Sequence, residues 1–338
     1  MASAFELLAL CVLVVAGGLR VAFSVSYAFV MTLWPWDLYL YPLAVLLAPL
    51  LYWAIRQSTQ KHEDRIYLAS ALIRAEVAFM MMFYGVSKVA LQQFAQSYSD
   101  QDCRMLTATG LMKAWSFFGH SAAYESFLGW GECLGSLLLL FYITVPAGAL
   151  ILAIILVNIV FTNFTHDIGV RANSSLYLLQ TVALLWPERG RIIAFLRGVA
   201  VPTRPLPGIV ERQGKRLTVA RAVVVTAMAS FVFYNQRMHV VHKPQPHPLV
   251  GIWQASVPTS LQRLRFDNDH GGSLSRVEED RVEFEYHFQP GQLPLKIEVV
   301  SEGKWTPCFQ GQAVLVNASQ LVLTPDGGPS IRYRRIKP

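Results

Sequence analysis

The stretch Asn163-Phe164-Thr165-His166-Asp167-Ile168-Gly169-Val170-Arg171 follows directly on the apolar run 149–161. It gathers an amide, an imidazole, a carboxyl and a guanidinium within a few positions. Two further carboxyls, Glu125 and Glu132, lie in the apolar segment before it, and Lys88 closes an earlier one. Ionisable groups are costly at bilayer depth, so they are rare there and face a protein interior or a wet cavity. Glu125, Glu132, His166 and Asp167 are therefore the candidate catalytic groups, able to give or take a proton. Lys88 and Arg171 complete a proton and anion network, and Asn163 and Trp115 shape the candidate substrate-binding pocket.

Spacing supports part of this grouping. Ser121, Glu125, Gly129, Glu132 and Ser136 recur at helical intervals, which puts two acids and three small residues on one face. Such a stripe lets a second helix approach closely, and it sets the two carboxyls roughly 10 Å apart along the axis. The alternative is that each acid pairs with an arginine of another helix and fixes packing only. Lys88 either joins the network or snorkels to the interface. Arg74 and Glu76, toward the other end of the same segment, read as a structural ion pair.

Other chemistry is less well supplied. His120 and His166 mark two helix ends at one depth, but neither has a ligand-spaced neighbour, so haem b is not expected. Cys11, Cys103, Cys133 and Cys308 form no CxxC or zinc spacing, and no metal site is expected. A disulfide between Cys103 and Cys308 is the one pairing to consider. No cofactor is encoded by a motif, and a quinone is compatible as a bound ligand.

The elements that must position these groups are mostly membrane-compatible. Hydrophobic residues make up 53% of the chain and charged ones 15%. The net charge of +7 lies largely beside apolar segments, so topology explains it without nucleic acid. With roughly 20 apolar residues per span, seven spans are expected, about 4–31, 38–56, 66–91, 120–142, 145–163, 173–187 and 217–236. The first reads as a retained helix. Segment 190–200 suits an interfacial amphipathic helix. The loop 92–119 is long and aromatic, and reads as a re-entrant or lid-like segment over an outer pocket.

Beyond the Pro-rich stretch 237–248 the texture changes. Short alternating runs at Arg281–Phe288, Leu295–Val300, Ala313–Val316 and Gln320–Leu323 predict a small antiparallel sheet. The fold class is thus mainly α, a polytopic bundle of about seven transmembrane helices with a small C-terminal antiparallel β domain. Three regions follow: the bundle over 1–200, a basic linker with the last span over 201–245, and a β-barrel or β-sandwich over 246–338. Gly251-x-Trp253 opens the first strand as in lipocalin-like barrels.

Orientation follows from Lys and Arg in short loops. Arg56, Lys61, Arg65, Arg189, Arg191, Arg197, Arg204, Arg212, Lys215 and Arg216 fall on the N-terminal side. Lys88, Arg104, Lys113 and Arg171 fall opposite. This predicts a cytoplasmic N-terminus and an extracytoplasmic β domain in a bacterial inner membrane.

From Arg74 to Arg197 the chain resembles the DoxX-like membrane proteins, in particular a longer subgroup with an extra soluble tail. The resemblance rests on Arg74…Tyr84-Gly85-x-x-Lys88…Gln93-Phe94 and Trp115…Gly119-x-Ser121…Tyr124…Phe127…Glu132. It continues with Asn158…Asn163-Phe164…Asp167…Val170-Arg171…Ser175. In the subgroup the last signature reads like N-F-x-Y-D-V-P-V-K; here His166, Gly169 and Arg171 replace Tyr, Pro and Lys. The resemblance implies a place in quinone-linked redox systems, such as thiosulfate oxidation or oxidative-stress complexes. The expected function is a redox-associated membrane protein with a polar outer-face pocket. The alternative is a non-catalytic anchor or accessory subunit of a respiratory or photosynthetic complex, with lipid and other subunits as partners.

Overall fold

The computed structural model describes residues 2–29, 40–102, 108–201, single positions between 203 and 230, and 248–259. In the C-terminal part it further describes 261–267, 271–275, 282–288, 294–301 and 304–337. The chain divides into two compact units that are not consecutive in sequence. One comprises Met1–Gln93 and Ser121–Gln236, the other Phe94–His120 and Arg237–Pro338.

The first unit is helical: α1 (Ala2–Phe29), α2 (Leu40–Ser58), α3 (His62–Val89), α6 (Ala122–Leu139), α7 (Val145–Thr165), α8 (Arg171–Leu185) and α9 (Arg189–Leu196). Ser121 caps α6 by accepting from the Tyr124 amide, and Pro146 sits in the first turn of α7, where its missing N–H costs nothing. Ile73, Val77, Met80 and Met81 of α3 pack with Leu139, Leu152, Leu156 and Tyr177 into the central apolar cluster. The opposite faces stay apolar and exposed, with Trp130, Ile154 and Phe161 among them, as suits a lipid-facing surface.

Among the described residues three helical stretches are long and apolar enough to cross a membrane: Ala4–Ala22, His62–Val89 and Tyr142–Thr165. The expectation of seven spans is not supported. Helix α6 carries Glu125 and Glu132 within 18 residues, and α8 has only 15 residues. The expected last span, 217–236, lies for most of its length outside the described residues.

The second unit is an eight-stranded antiparallel meander, β1 (Gly251–Ala255), β2 (Arg263–Phe266), β3 (Gly271–Ser275), β4 (Val282–Phe288), β5 (Pro294–Ser301), β6 (Lys304–Asn317), β7 (Gln320–Pro325) and β8 (Ile331–Lys337). Strand β8 pairs back onto β1, so the sheet closes into a barrel and leaves no free edge. Each of the four alternating runs read from the sequence falls on a strand, β4 to β7. Inward positions bring Trp253, Leu264, Phe266, Leu274, Phe284, Tyr286, Ile297, Phe309, Leu321 and Tyr333 into one core. The polar tips of three large residues are satisfied within it: Trp253 Nε1 donates to Leu249 O, Tyr286 to Asp267 O and Tyr333 to Leu261 O. Arg335 stacks 4.4 Å over the Trp253 ring and also donates to Pro248 O, which seals one end of the barrel. Gly272 is required, because a Cβ there would run into Arg265 O and the Phe284 ring.

The segment expected as a lid belongs to this barrel unit. Its two short helices, α4 (Tyr98–Gln101) and α5 (Gly110–Gly119), bracket residues outside the description. Asp102 meets Arg263 at 2.9 Å and Arg265 at 2.7 Å, while the Ser99 amide and hydroxyl both donate to Asp267. Strand β2 thus grips the segment through one partly buried charge cluster.

Candidate functional site

The stripe on α6 becomes one buried face: Glu125, Gly129, Glu132 and Ser136 are all buried, with Ser121 serving as the cap. Opposite it runs α3, and the helices touch where Gly85 and Gly129 face each other. A Cβ on Gly129 would lie 2.5 Å from Gly85 O, and one on Gly85 would lie 2.7 Å from Cys133 Sγ. This close crossing brings Lys88 onto Glu132, with Nζ 2.7 and 2.8 Å from the two carboxylate oxygens. Both side chains are nearly inaccessible, at 5% and 1%.

Helical direction explains the pairing. Side chains lean toward the N-terminus of their own helix. The two helices run antiparallel, so Lys88 leans back along α3 just as Glu132 leans up α6 to meet it. Lys88 therefore points into the bundle and does not snorkel. The Tyr84 ring lies 6.0 Å from its Nζ.

A second polar group sits deeper, between α1, α3 and α8. Gln180 Nε2 donates to Glu76 Oε2 at 2.9 Å and to Leu13 O at 3.1 Å. Gly17 makes the room, since a Cβ there would collide with both side chains. Arg20 of α1 is buried and lies within electrostatic reach of Tyr41, Tyr84 and Tyr177. Tyr41 donates to Asn173. The sequence offered a signal for this group in the Gly17-Gly18 pair, Arg20 and a lone Gln180 inside a Leu-rich helix, and it passed unused. Glu76 thus engages Gln180, while Arg74 stacks over Tyr67 and Tyr142 at 5.1 and 5.9 Å and donates to Ser70 O. Two positions apart on a helix, the expected pair faces different neighbours.

The conspicuous stretch 163–171 is the turn between α7 and α8. The Ile168 amide donates to Asn163 O, and Asp167 takes a left-handed φ of 54°, which together form a Schellman end to α7. Asn163 reaches across to Ser174 Oγ at 3.0 Å. Asp167 pairs with Arg171 at 2.8 Å, four residues on and largely in solvent. His166 stays with Thr162 and Thr165 of its own helix. Asn163 and Ile168 are the buried members of the turn, and the turn's charges close on each other at the surface rather than on Lys88.

The remaining candidates fall elsewhere. Trp115 belongs to the barrel unit, packed edge-on against Phe94 at 5.2 Å. The proposed disulfide involves Cys103, which lies outside the described residues. Among the described residues no group of His, Cys, Asp or Glu is arranged to hold a metal ion.

Fold and geometry thus define an α-helical, membrane-compatible protein with a buried polar interior and a barrel appended to it. Over 134 residues, 40% of its length, the chain is 36% identical to the uncharacterized protein YwoB of Bacillus subtilis (strain 168), of which it covers 86%. It belongs to the same family as that protein. No family model and no solved structure matches it.

Proposed function

We propose that this chain is a DoxX-like integral membrane protein of a redox system, with a quinone as its ligand class and the α3–α6 seam as its working site. The observation that carries the reading is the Lys88–Glu132 pair, buried between α3 and α6 with Tyr84 beside it. The donor set suits a quinone, whose carbonyl oxygens accept hydrogen bonds and whose ring prefers an apolar wall. Bound there, a quinone would supply two-electron, two-proton chemistry. Lys88 would donate to a carbonyl oxygen and hold the negative charge that develops on it. Glu132 would pass a proton to or from that oxygen, and Met80, Met81 and Leu156 would keep bulk water out. The membrane is the bacterial inner membrane, with the N-terminus cytoplasmic and the barrel outside.

A second reading is a non-catalytic anchor or accessory subunit. Two observations favour it: the buried charges already satisfy one another, and the barrel core is filled by its own side chains. Gentle detergent purification from the native membrane, with quinone extraction and mass spectrometry of co-eluting proteins, separates the two. Quinone near one per chain, lost in Glu132→Gln and kept in Asp167→Asn, supports the redox reading. Stoichiometric partner proteins with no quinone would replace it by the second.

A further inference from the structure

The barrel spends its arginines in two ways. Arg335 closes one end, over the Trp253 ring and on Pro248 O, and the two arginines of β2 are held by Asp102. Arg332 and Arg334 of β8 differ. Both are exposed, on either side of the buried Tyr333, and among the described residues neither guanidinium has a hydrogen-bonding or ionic partner. From 304 to 338, the stretch that forms β6, β7 and β8, the sequence carries Lys304, Arg332, Arg334, Arg335 and Lys337 against one acid, Asp326. On the next strand, β5, Lys296 and Glu298 pair with each other at 2.7 Å.

Strand register shows what surrounds the two arginines. Val314 of β6 lies opposite Val322 of β7, which lies opposite Arg332, so the three share one row of the outer face. Arg334 lies opposite Gln320 in the next row. Val316 and Ile336 extend the same face and are 58% and 55% exposed. A water-facing sheet surface ordinarily carries polar residues at these outward positions. Here branched aliphatic side chains form a floor, with two unengaged arginines standing on it.

Grouped exposed aliphatics mark a contact surface, and their mixture with arginine suits the lipid headgroup region. There the apolar groups sink toward the acyl boundary while guanidinium groups meet phosphate. A nucleic acid would call for the charge without the aliphatic floor. Phe94 follows α3 and His120 precedes α6 by a few residues each, and α3 is long and apolar enough to cross a membrane. A bilayer around that helix is therefore offered to the barrel at about millimolar effective concentration. We propose that the β6–β8 face of the barrel docks on anionic phospholipid, with Arg332 and Arg334 on headgroup phosphates and Val314, Val316 and Ile336 seated between headgroups. Each arginine at an anionic surface strengthens such binding about fivefold. The docking needs a bilayer but no quinone, so it stands or falls apart from the redox reading.

The test is labelling of arginines by a neutral dicarbonyl reagent, read residue by residue by mass spectrometry on the full-length protein. Three settings are compared: nanodiscs of phosphatidylglycerol with phosphatidylcholine, nanodiscs of phosphatidylcholine alone, and neutral detergent micelles. Rates are taken relative to Arg191 of the helical unit, which reports any general effect of the anionic lipid. Arg332 and Arg334 should react at least about fivefold more slowly in the anionic discs than in the other two settings. About 0.5 M salt should remove much of that protection, and Val316→Asp should remove it without added salt. Arg332→Gln combined with Arg334→Gln alters two exposed side chains and leaves the core intact, and it should retain fewer phosphatidylglycerol molecules in native mass spectrometry. Equal relative rates in the two kinds of disc, or unchanged lipid retention in the double variant, overturn the proposal. Protection already present in micelles would give the face to a protein contact instead. Protection in micelles by added polyglutamate or RNA, as strong as that in anionic discs, would give it to an acidic polymer.

Discussion

Two polar regions of the helical unit look alike in sequence and differ in kind. The α7–α8 turn packs an amide, an imidazole, a carboxyl and a guanidinium into nine residues. Its ion pair is local, four residues apart, with Asp167 84% exposed. The α3–α6 seam draws Lys88 and Glu132 from positions 44 apart and buries both. Density of polar residues marks a place where the chain meets water and turns. Isolated polar residues in apolar helices mark a place where helices must find each other. Ion pairs near water contribute little, whereas a lone charge left in the interior is expensive.

The largest effect should come from removing one partner of the buried pair. Glu132→Leu leaves the Lys88 ammonium without its carboxylate and should cost roughly 3–5 kcal/mol, measured by reversible unfolding in mixed micelles. Asp167→Asn should cost about 0.5 kcal/mol or less, and a larger loss there would erase the contrast. Gly129→Val should be comparably damaging at the seam, because a Cβ already meets Gly85 O at 2.5 Å. It should show as lost thermal stability that a second change on α3 does not restore.

The barrel unit offers an independent check on the same rule. Arg265 is 3% exposed at its side chain and bonds Asp102 through Nε and through the Asp102 carbonyl. Asp102→Ala should therefore cost about 2–4 kcal/mol, short of the full loss of a buried pair because Asp102 is itself partly solvated. Faster hydrogen exchange across 98–101 and β2 would report it.

Tyr333 gives a pH signature. Burial pushes its hydroxyl from the ordinary phenol value up to about 12. The neutral phenol is favoured in the folded barrel, so this contribution is complete below the unfolded value of about 10. It is lost as the pH rises toward 12. Barrel peptides should exchange faster over that window in the wild type. In Tyr333→Phe that part of the pH dependence should vanish, along with the bond to Leu261 O. The smallest effect is expected at Leu91, which ends α3 with a φ of 56°. Leu91→Gly should raise stability by about 1 kcal/mol or less, since glycine adopts this conformation freely.

Much of the architecture was legible in the sequence because period and length carry it. The alternating runs 281–288 and 295–300 became β4 and β5, and the acid-bearing stripe of α6 became its buried face. Among the described residues, the first six expected helical segments fell within a few residues of their bounds. The partners were less legible. Nothing in the spacing says that Gly85 meets Gly129, that Gln180 reaches Glu76, or that Asp102 is held by β2. These pairings span 44, 104 and more than 160 positions and are set by helix crossing and strand order. The stretch 163–171 misled for a related reason. A Schellman end and a polar pocket draw on the same residue types, and they differ only in where the backbone carbonyls go.

The most direct test of this contrast is a pair of double-mutant cycles in one micelle system, Lys88→Met with Glu132→Leu and Asp167→Asn with Arg171→Gln. The account predicts a coupling above about 2 kcal/mol for the buried pair, with the double variant recovering much of the loss of either single one. It predicts less than about 0.5 kcal/mol for the exposed pair. Equal couplings, or a larger one at the turn, would contradict it and move the polar centre of the molecule to the α7–α8 turn.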